Sequence, residues 1–573
     1  MTGQAGKACL MALLVALSAN VKAQDISQIA KSDPLIITGA VGTNNTYHYS
    51  SAGNTYGSPL GNTFYANLNI SVYGISMPFS VYYSNDNLEF SYPQLSFNLT
   101  PKYKQWTGHL GQSSMDFSSY VMNMSFNGVG VEYDDNKRLR FGAFYGVLRN
   151  AVNDNPEDPS ARAPQYKRLG WGFKAGYGSQ KAYLDLYVLR AYDRPKSLDD
   201  RWRRLVLPQE NIAIALKGGV NIIKNLSLNA NLATSLFTGD MEAEKITEGA
   251  ATNFSSLIEP RYSSLVRFAG DVSVSYSMQG LSASLFYRMV QPDFLSLGTY
   301  YMSNNYHSLG VNATTQLFKS LTLAATFSGQ SDNLTKKQLY TTNAYVYSLT
   351  ASTRLGTKFN LAASYNGYLQ SQSDGTIPVK DSTEVRRAMH SLSFTPTFMT
   401  QSETLGHSVS LSLSYTQNKD LNKFSVGVSD VKATALGASY SMDIKSWELN
   451  LASSLSHQVS RGYQTKYTSD IFSLTASRSF FEEKNLNLSA VFNIIYNEVK
   501  TRSKSLSIGF DLSAGYTLKK VHSFSLAAGI NTYGDVNQNH RRSRVNNRDI
   551  TASLNYVYTF SLLEIKRKGE KKK

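Results

Sequence analysis

Apolar and polar side chains alternate with a period of two along much of this chain. Every second position between Leu506 and Leu518 is apolar, and Ser, Gly, Asp or Thr stands at each position between. Successive side chains of a β-strand point to opposite faces, so this pattern predicts a strand with one apolar and one polar face. A dozen or more other stretches show the same alternation, among them residues 407–415 and 486–496.

The connections between these predicted strands fall into two length classes that alternate along the chain. Short connections are expected at residues 179–180, 224–225, 279–280, 319–320, 356–358 and 519–520. Long polar connections are expected at residues 153–164, 195–210, 239–262, 371–387 and 534–547. Short periplasmic turns and long extracellular loops are typical of outer-membrane barrels. The sequence therefore predicts an all-β fold, a single large transmembrane antiparallel β-barrel.

The candidate strands add up to about 26, and a range of about 22 to 26 fits the even numbers common in single-chain barrels. An even number places both termini on the periplasmic side. The first strand is expected near Leu35, which leaves no room for an N-terminal plug domain. Residues 239–262 are the longest candidate for a loop that folds into the lumen; an external mobile loop is the alternative.

The N-terminus has the features of a secretory signal. Lys7 supplies the positive charge, and residues 8–17 are apolar. Residues 21–23 resemble the small-residue pattern at which a signal peptide is cleaved. We therefore expect export by the general secretory route and four regions: a signal peptide (1–23), a short periplasmic segment (24–34), the barrel (35–560) and a basic periplasmic tail (561–573). Cys9 is the single cysteine and lies in the signal, so the exported chain has no disulfide.

Composition narrows the class further. No segment after the signal has the ~18 consecutive apolar residues of a membrane-spanning helix. The 37 Tyr and 27 Phe suit the aromatic girdles of a barrel. The chain has 57 Lys and Arg against 41 Asp and Glu, a formal charge of +16. Without a nucleic-acid-binding module, this charge favours outer-membrane lipid and lipopolysaccharide as partners over nucleic acid.

Charged residues on the polar faces of strands are the candidates for function. An arginine on the lipid face would cost ~2–4 kcal/mol near the midplane, so these charges are expected inside the lumen. Lys174 and Asp185 are predicted to face each other across the hairpin at 179–180 and to form an ion pair. The full set of luminal candidates is Arg140, Lys174, Asp185, Arg267, Asp271, Arg288 and Arg354. They could select solutes at a constriction; the structural alternative is that they fix strand register.

Two basic clusters fall in predicted external loops and are candidates for contact with lipopolysaccharide phosphates. They are Arg201, Arg203 and Arg204 in one loop, and Arg541, Arg542 and Arg544 in another. Solvated loop charge is the alternative for both.

Signatures of catalysis and of metal binding are absent from the sequence. The eight histidines are scattered without ligand spacing, and no phosphate-binding loop or zinc helix occurs. No Ser, His and acidic arrangement stands out, so we predict neither an enzyme nor a cofactor or metal. The acidic stretch 154–158 could hold Ca²⁺ weakly, and a plain loop is the stronger interpretation.

The chain ends in an alternating stretch with Tyr556, Tyr558 and Phe560. This ending resembles the signal of outer-membrane proteins that are handed to the barrel-assembly machinery. Residues 101–106, 109–111, 114–120 and 142–148 resemble a group of uncharacterised outer-membrane β-barrels of Bacteroidetes. That resemblance implies a fold and a location, and it implies no substrate.

Three hypotheses for function follow. The first is a channel or transporter for polar solutes across the outer membrane. The second is a non-conducting barrel that serves as a scaffold in a secretion or surface-assembly complex, with lipoprotein or secretion partners. The third is a secreted, soluble, β-rich surface protein.

Overall fold

The computed structural model describes residues 35–53, 59–85, 95–154, 162–425, 427–500, 502–535 and 547–565. The predicted signal peptide, the segment 24–34, and residues 566–573 of the basic tail lie outside the described residues. The expectations about the signal, the cleavage site and an N-terminal plug therefore remain predictions.

Extended strands dominate the described chain because the alternating pattern recurs along its whole length. The first thirteen are β1 (Leu35–Ser50), β2 (Leu60–Val72), β3 (Ile75–Ser84), β4 (Leu95–Leu99), β5 (Lys102–Tyr103), β6 (Trp106–Ser113), β7 (Phe126–Asp134), β8 (Leu139–Arg149), β9 (Arg168–Ser179), β10 (Ala182–Asp193), β11 (Glu210–Ile223), β12 (Leu226–Thr238) and β13 (Ser264–Met278). The remainder are β14 (Leu281–Val290), β15 (Tyr306–Leu317), β16 (Leu321–Asp332), β17 (Tyr340–Leu355), β18 (Phe359–Asp374), β19 (Arg386–Gln401), β20 (Leu405–Asp420), β21 (Val431–Ile444), β22 (Leu449–Gly462), β23 (Thr465–Phe480), β24 (Leu486–Val499), β25 (Ser503–Leu518), β26 (His522–Asp535) and β27 (Asn547–Ile565).

Helical structure in the described residues is limited to single turns. They are Pro195–Ser197, Asp200–Arg203, Ala250–Phe254 and Lys445–Trp447. None of the helices in this part of the chain has the length and apolar character that a bilayer crossing requires.

The strands form one closed antiparallel sheet. Each pairs with its neighbours in sequence, and β1 closes the circle with β27, from Leu35 opposite Ile565 to Ser50 opposite Asp549. Because β4 and β5 both lie between β3 and β6 as two parts of one interrupted strand, the 27 segments make a 26-stranded barrel. The predicted fold class and strand number are confirmed, and β27 continues to Ile565, beyond the expected barrel end at Phe560.

The outer surface of the barrel is apolar, as the alternation predicts. Leu512 on β25 and Leu554 on β27 leave 50% and 47% of their surface exposed, as lipid-facing residues do. Near the end of β27 the predicted C-terminal residues form part of an aromatic cluster. The ring centroids of Tyr558 and Phe560 lie 5.5 Å apart, and those of Tyr556 and Phe524 lie 4.9 Å apart. This cluster has the position of an aromatic girdle.

Long and short connections are sorted to opposite ends, and we assign the long-loop end to the extracellular side. Two exceptions occur on this side. The connection between β22 and β23 is only residues 463–464, with Gln464 at a positive φ of 56°, and the one between β24 and β25 is residues 500–502. The extracellular rim is therefore low at β22–β25 and tall at β8–β13.

The assignment of faces can be tested on one strand. Leu512→Arg places a charge in the lipid and should lower the free energy of unfolding by ~2–4 kcal/mol, because the outer face of a barrel tolerates arginine poorly near the midplane. Ser513→Arg points the same side chain into the aqueous lumen and should cost much less. Denaturant unfolding in lipid vesicles measures both. Equal losses for the two variants would contradict the orientation of β25.

Candidate luminal site

Two extracellular connections fold back into the barrel and hold each other there. We call residues 114–125, between β6 and β7, the first luminal segment, and residues 291–305, between β14 and β15, the second. The backbone N–H of Asn123 donates to the carbonyl of Gly298 at 3.1 Å. The hydroxyl of Ser296 donates to the carbonyl of Val121 at 2.5 Å. The two segments therefore form one unit within the lumen.

The glycine-rich inner faces of β7–β9 pack against this unit. Phe117 and Met115 of the first segment pack on the inner faces of β7–β9, where glycines leave room for them. A Cβ atom built on Gly172 would lie 2.9 Å from the Phe117 ring and closer still to the ring of Phe144. The rings of Phe126 and Phe144 stack with their centroids 4.3 Å apart. The buried apolar contacts inside this barrel thus lie between the luminal segments and one side of the wall.

Polar side chains on the wall fasten the backbone of the second luminal segment. Asn211 on β11 is fully buried, donates to the hydroxyl of Ser235 at 2.7 Å and accepts from the N–H of Leu297 at 3.2 Å. The hydroxyl of Ser235 in turn donates to the carbonyl of Leu295 at 2.5 Å. Buried backbone groups of a loop require such partners, so these residues fix its position.

The longest loop does not enter the lumen. Ala251 and Ile258 of residues 239–263 are buried against Ile212 and Leu236. Those two residues face outward, because their neighbours Asn211 and Ser235 face the lumen. The loop therefore lies on the outer wall near the rim, which agrees with the external alternative and not with an inward fold. Its apolar residues find apolar partners on the outer face of β11 and β12.

A charged cavity of about 330 Å³ lies in the lumen beside the first luminal segment. Arg140 donates to Asp185 at 2.8 Å across β8 to β10. Lys174 forms an ion pair with Glu132, and the ring of His109 lies 2.6 Å from the same carboxylate. Glu132 and His109 were not among the predicted residues. The polar face of β7 carries Glu132 directly after Gly128 and Gly130, which is the signal that could have identified it.

The predicted pair of Lys174 and Asp185 does not form. The turn is Gln180–Lys181, one residue later than expected, so Asp185 lies opposite Gly176 and Lys174 lies opposite Tyr187. A side chain at Gly176 would overlap the Asp185 carboxylate. Glycine there lets Asp185 reach across β9 to Arg140, and the freed Lys174 turns to Glu132.

Two charges at the cavity have no ion-pair partner among the described residues. Lys217 on β11 lies directly opposite Asp185, whose carboxylate is engaged by Arg140. Asp116 of the first luminal segment accepts from Lys174 through its backbone carbonyl, and its carboxylate faces the cavity. A cation and an anion are therefore both available to a solute at this place.

The other luminal candidates separate into two groups. Asp271 and Arg288 lie opposite each other on β13 and β14, and Asp271 accepts a hydrogen bond from Tyr120 of the first luminal segment at 2.7 Å. Arg267 donates to the carbonyl of Pro292 in the second segment at 2.8 Å. Arg354 lies apart from them near a periplasmic turn, where it donates to the carbonyl of Thr357 at 3.3 Å.

The external basic candidates are only partly described. Arg201 and Arg203 lie in the short helix after Asp199 and are paired with Asp199 at 3.4 Å and with Asp200 at 3.0 Å. Arg204 ends the same helix. The second cluster, Arg541, Arg542 and Arg544, lies outside the described residues. Contact of either set with lipopolysaccharide stays a prediction.

Asp154, at the start of the acidic stretch considered for Ca²⁺, is held by an arginine. Arg162 donates from its guanidinium to both carboxylate oxygens, at 2.9 and 3.0 Å, and holds the pKa of Asp154 at about 2. Within the described ranges, no group of three or more metal-ligating side chains comes together.

Comparisons with known proteins find likeness only among solved structures. No family model matches the chain, and no curated protein matches it. The P pilus usher (PapC) translocation pore is 10% identical, with a TM-score of 0.36 over 92% of this chain and 99% of that one. The FrpB iron transporter of Neisseria meningitidis is 10% identical, with a TM-score of 0.38 over 91% and 81%. OccAB3 of Acinetobacter baumannii is 9% identical, with a TM-score of 0.30 over 66% and 99%.

The fit of the first luminal segment against the wall can be tested at Gly172. Gly172→Val should displace Phe117 and loosen the segment, because no space exists for a side chain there. We expect a folded barrel with more rapid proteolysis between residues 114 and 125. Gly515→Val, on the inner face of β25 with nothing within 4 Å of its Cβ position, is the matched control. Unchanged proteolysis of Gly172→Val would show that the segment is not held by this contact.

Proposed function

We propose that this protein is an outer-membrane channel for small polar solutes whose lumen is narrowed on one side by the two luminal segments. The observation that carries the proposal is the charged cavity beside the first luminal segment, where Lys217 and Asp116 face a water-accessible lumen without ion-pair partners in the described chain. Charged side chains at a constriction select solutes by their field and hydrogen bonds. A small solute with both an acidic and a basic group matches this pair.

The inner wall supports passage of polar molecules. Serine, threonine, asparagine and glycine occupy most luminal positions of β16–β27, opposite the apolar outer face. Water-filled barrels have this construction, since only the outer face meets lipid. Export by the general secretory route and insertion by the barrel-assembly machinery belong to the same proposal, and the aromatic ending at Phe560 supports the latter.

A scaffold with its lumen closed by a partner is the second candidate. Contacts of the luminal segments fall on the inner faces of β7–β15, while the described loops make no comparable contact with β16–β27. A wall this polar and this wide could also receive a protein partner. The observation favouring the scaffold is thus the uncovered half of the lumen.

Single-channel recording in planar bilayers distinguishes the two candidates. The purified, heat-modifiable barrel should give steady ion current if it is a channel. A folded barrel that remains silent would contradict the channel and support the scaffold. The Gly172→Val variant serves as a positive control, because loosening the first luminal segment should raise the conductance of a channel.

Ion selectivity tests the role of the cavity itself. Lys217→Glu replaces an unpaired cation with an anion in the cavity beside the first luminal segment and should shift the permeability ratio toward cations by about twofold or more, since fixed charge along a passage sets the local ion concentration. Arg354→Glu makes the same charge change on the wall away from the luminal segments and should shift the ratio less. Reversal potentials in a salt gradient measure both variants. An equal shift would place the selective region elsewhere.

A further inference from the structure

Three cations stand side by side on the lipid-facing surface at the low part of the rim. Lys432 on β21 lies directly opposite Arg461 on β22, and Arg461 lies directly opposite Lys466 on β23. All three are exposed. On each strand the cation lies an even number of positions from an outward-facing apolar residue: Lys432 from Leu436, Arg461 from Leu455, and Lys466 from Phe472. The three cations therefore lie on the outer face. We call Lys432, Arg461 and Lys466 the basic row.

The basic row has no ion-pair partner among the described residues. Like charges directly opposite in a sheet repel one another, so such a row is unfavourable without an anion. The acidic group on the next strand, Glu498, lies one layer lower opposite Thr468 and pairs with Lys504 at 3.4 Å. The counter-charge for the row must therefore come from outside the described chain.

Two further layers of outward-facing side chains lie below the basic row. One layer down are Thr434, Val459 and Thr468; the layer beneath holds Leu436 and a pair formed by His457 and Asp470, whose side chains lie 2.6 Å apart. Successive layers on one face are ~7 Å apart, since a strand rises ~3.3 Å per residue. The basic row is thus the outermost of these layers, at the level expected for the headgroups, and the His457–Asp470 pair lies two layers deeper.

A largely apolar groove continues below this pair, and His457 and Asp470 line its end nearest the basic row. It has a volume of about 660 Å³, and its sides are formed by Leu411, Leu413, Leu436, Leu455 and Phe472. Ala438 lies directly opposite both Leu411 and Leu455, so a small side chain forms the floor between two large ones. A groove of this shape on a lipid-facing wall fits an acyl chain.

We propose that β20–β23 form a binding site for a phosphorylated lipid of the outer leaflet, lipopolysaccharide, with its phosphate on the basic row and an acyl chain in the groove. The two-residue connection 463–464 leaves the row open to the headgroup layer, where a long loop would cover it. Charge-assisted hydrogen bonds from Lys and Arg are the strong contacts for a phosphate, and the groove orients the lipid beneath them. This site is separate from the loop arginines and from the lumen.

The test is the amount of lipopolysaccharide that co-purifies with the barrel in mild detergent, measured per folded protein by native mass spectrometry. The triple variant Lys432→Ser, Arg461→Ser, Lys466→Ser should retain several-fold less. The matched control Lys319→Ser, Lys358→Ser, Lys519→Ser removes three cations at periplasmic turns and should retain the wild-type amount. Heat-modifiable migration confirms that both variants are folded.

A second variant tests the groove independently of the basic row. Ala438→Phe fills the floor of the groove without changing charge and should also reduce retained lipopolysaccharide. Wild-type retention in both the triple variant and Ala438→Phe would overturn the proposal. The proposal would also be overturned if phosphatidylglycerol vesicles displaced all of the bound lipopolysaccharide, because the site would then bind anionic lipids in general. Conductance is a separate measurement, so a silent channel leaves this inference standing.

Discussion

Closure of the backbone hydrogen-bond ladder is the constraint on which the rest of the structure depends. Unpaired amides in hydrocarbon cost several kcal/mol each, so a sheet in a membrane must have no free edge. β1 and β27 meet this requirement along nearly their whole length. Once the sheet is closed, the pleat alone decides that leucines such as Leu512 face lipid and that serines line the lumen. The remaining question for the molecule is what fills so wide a space.

Sequence periodicity was sufficient for the wall and insufficient for the contacts across it. A period of two gives the face of each residue, and it placed Arg140, Lys174 and Asp185 on the inner face. It does not give register, and the turn after β9 differs from the expected one by a single residue. Since directly opposite residues have different partners after such a change, Asp185 pairs with Arg140 and Lys174 with Glu132.

The position of the luminal segments could not be predicted from local features of the sequence. Loop length made residues 239–262 a candidate for the lumen, with an external loop as the alternative, because length carries no information about which wall a loop will contact. The decisive signal was the combination of Met and Phe in residues 114–125 with glycines on the polar faces of β7–β9. Those features are separated in sequence, and neither indicates burial alone. The role of Asn211 could not be predicted either. Asparagine is common on the polar face of a strand, and its role depends on the loop backbone that lies over it.

The reach of Tyr120 to Asp271 bears on how the molecule is assembled. These residues are 151 positions apart, and the strands between them must be in place before the hydrogen bond can form. The luminal unit consequently depends on strands that lie far apart in sequence, from β7 to β15, and is complete only in a barrel that contains all of them.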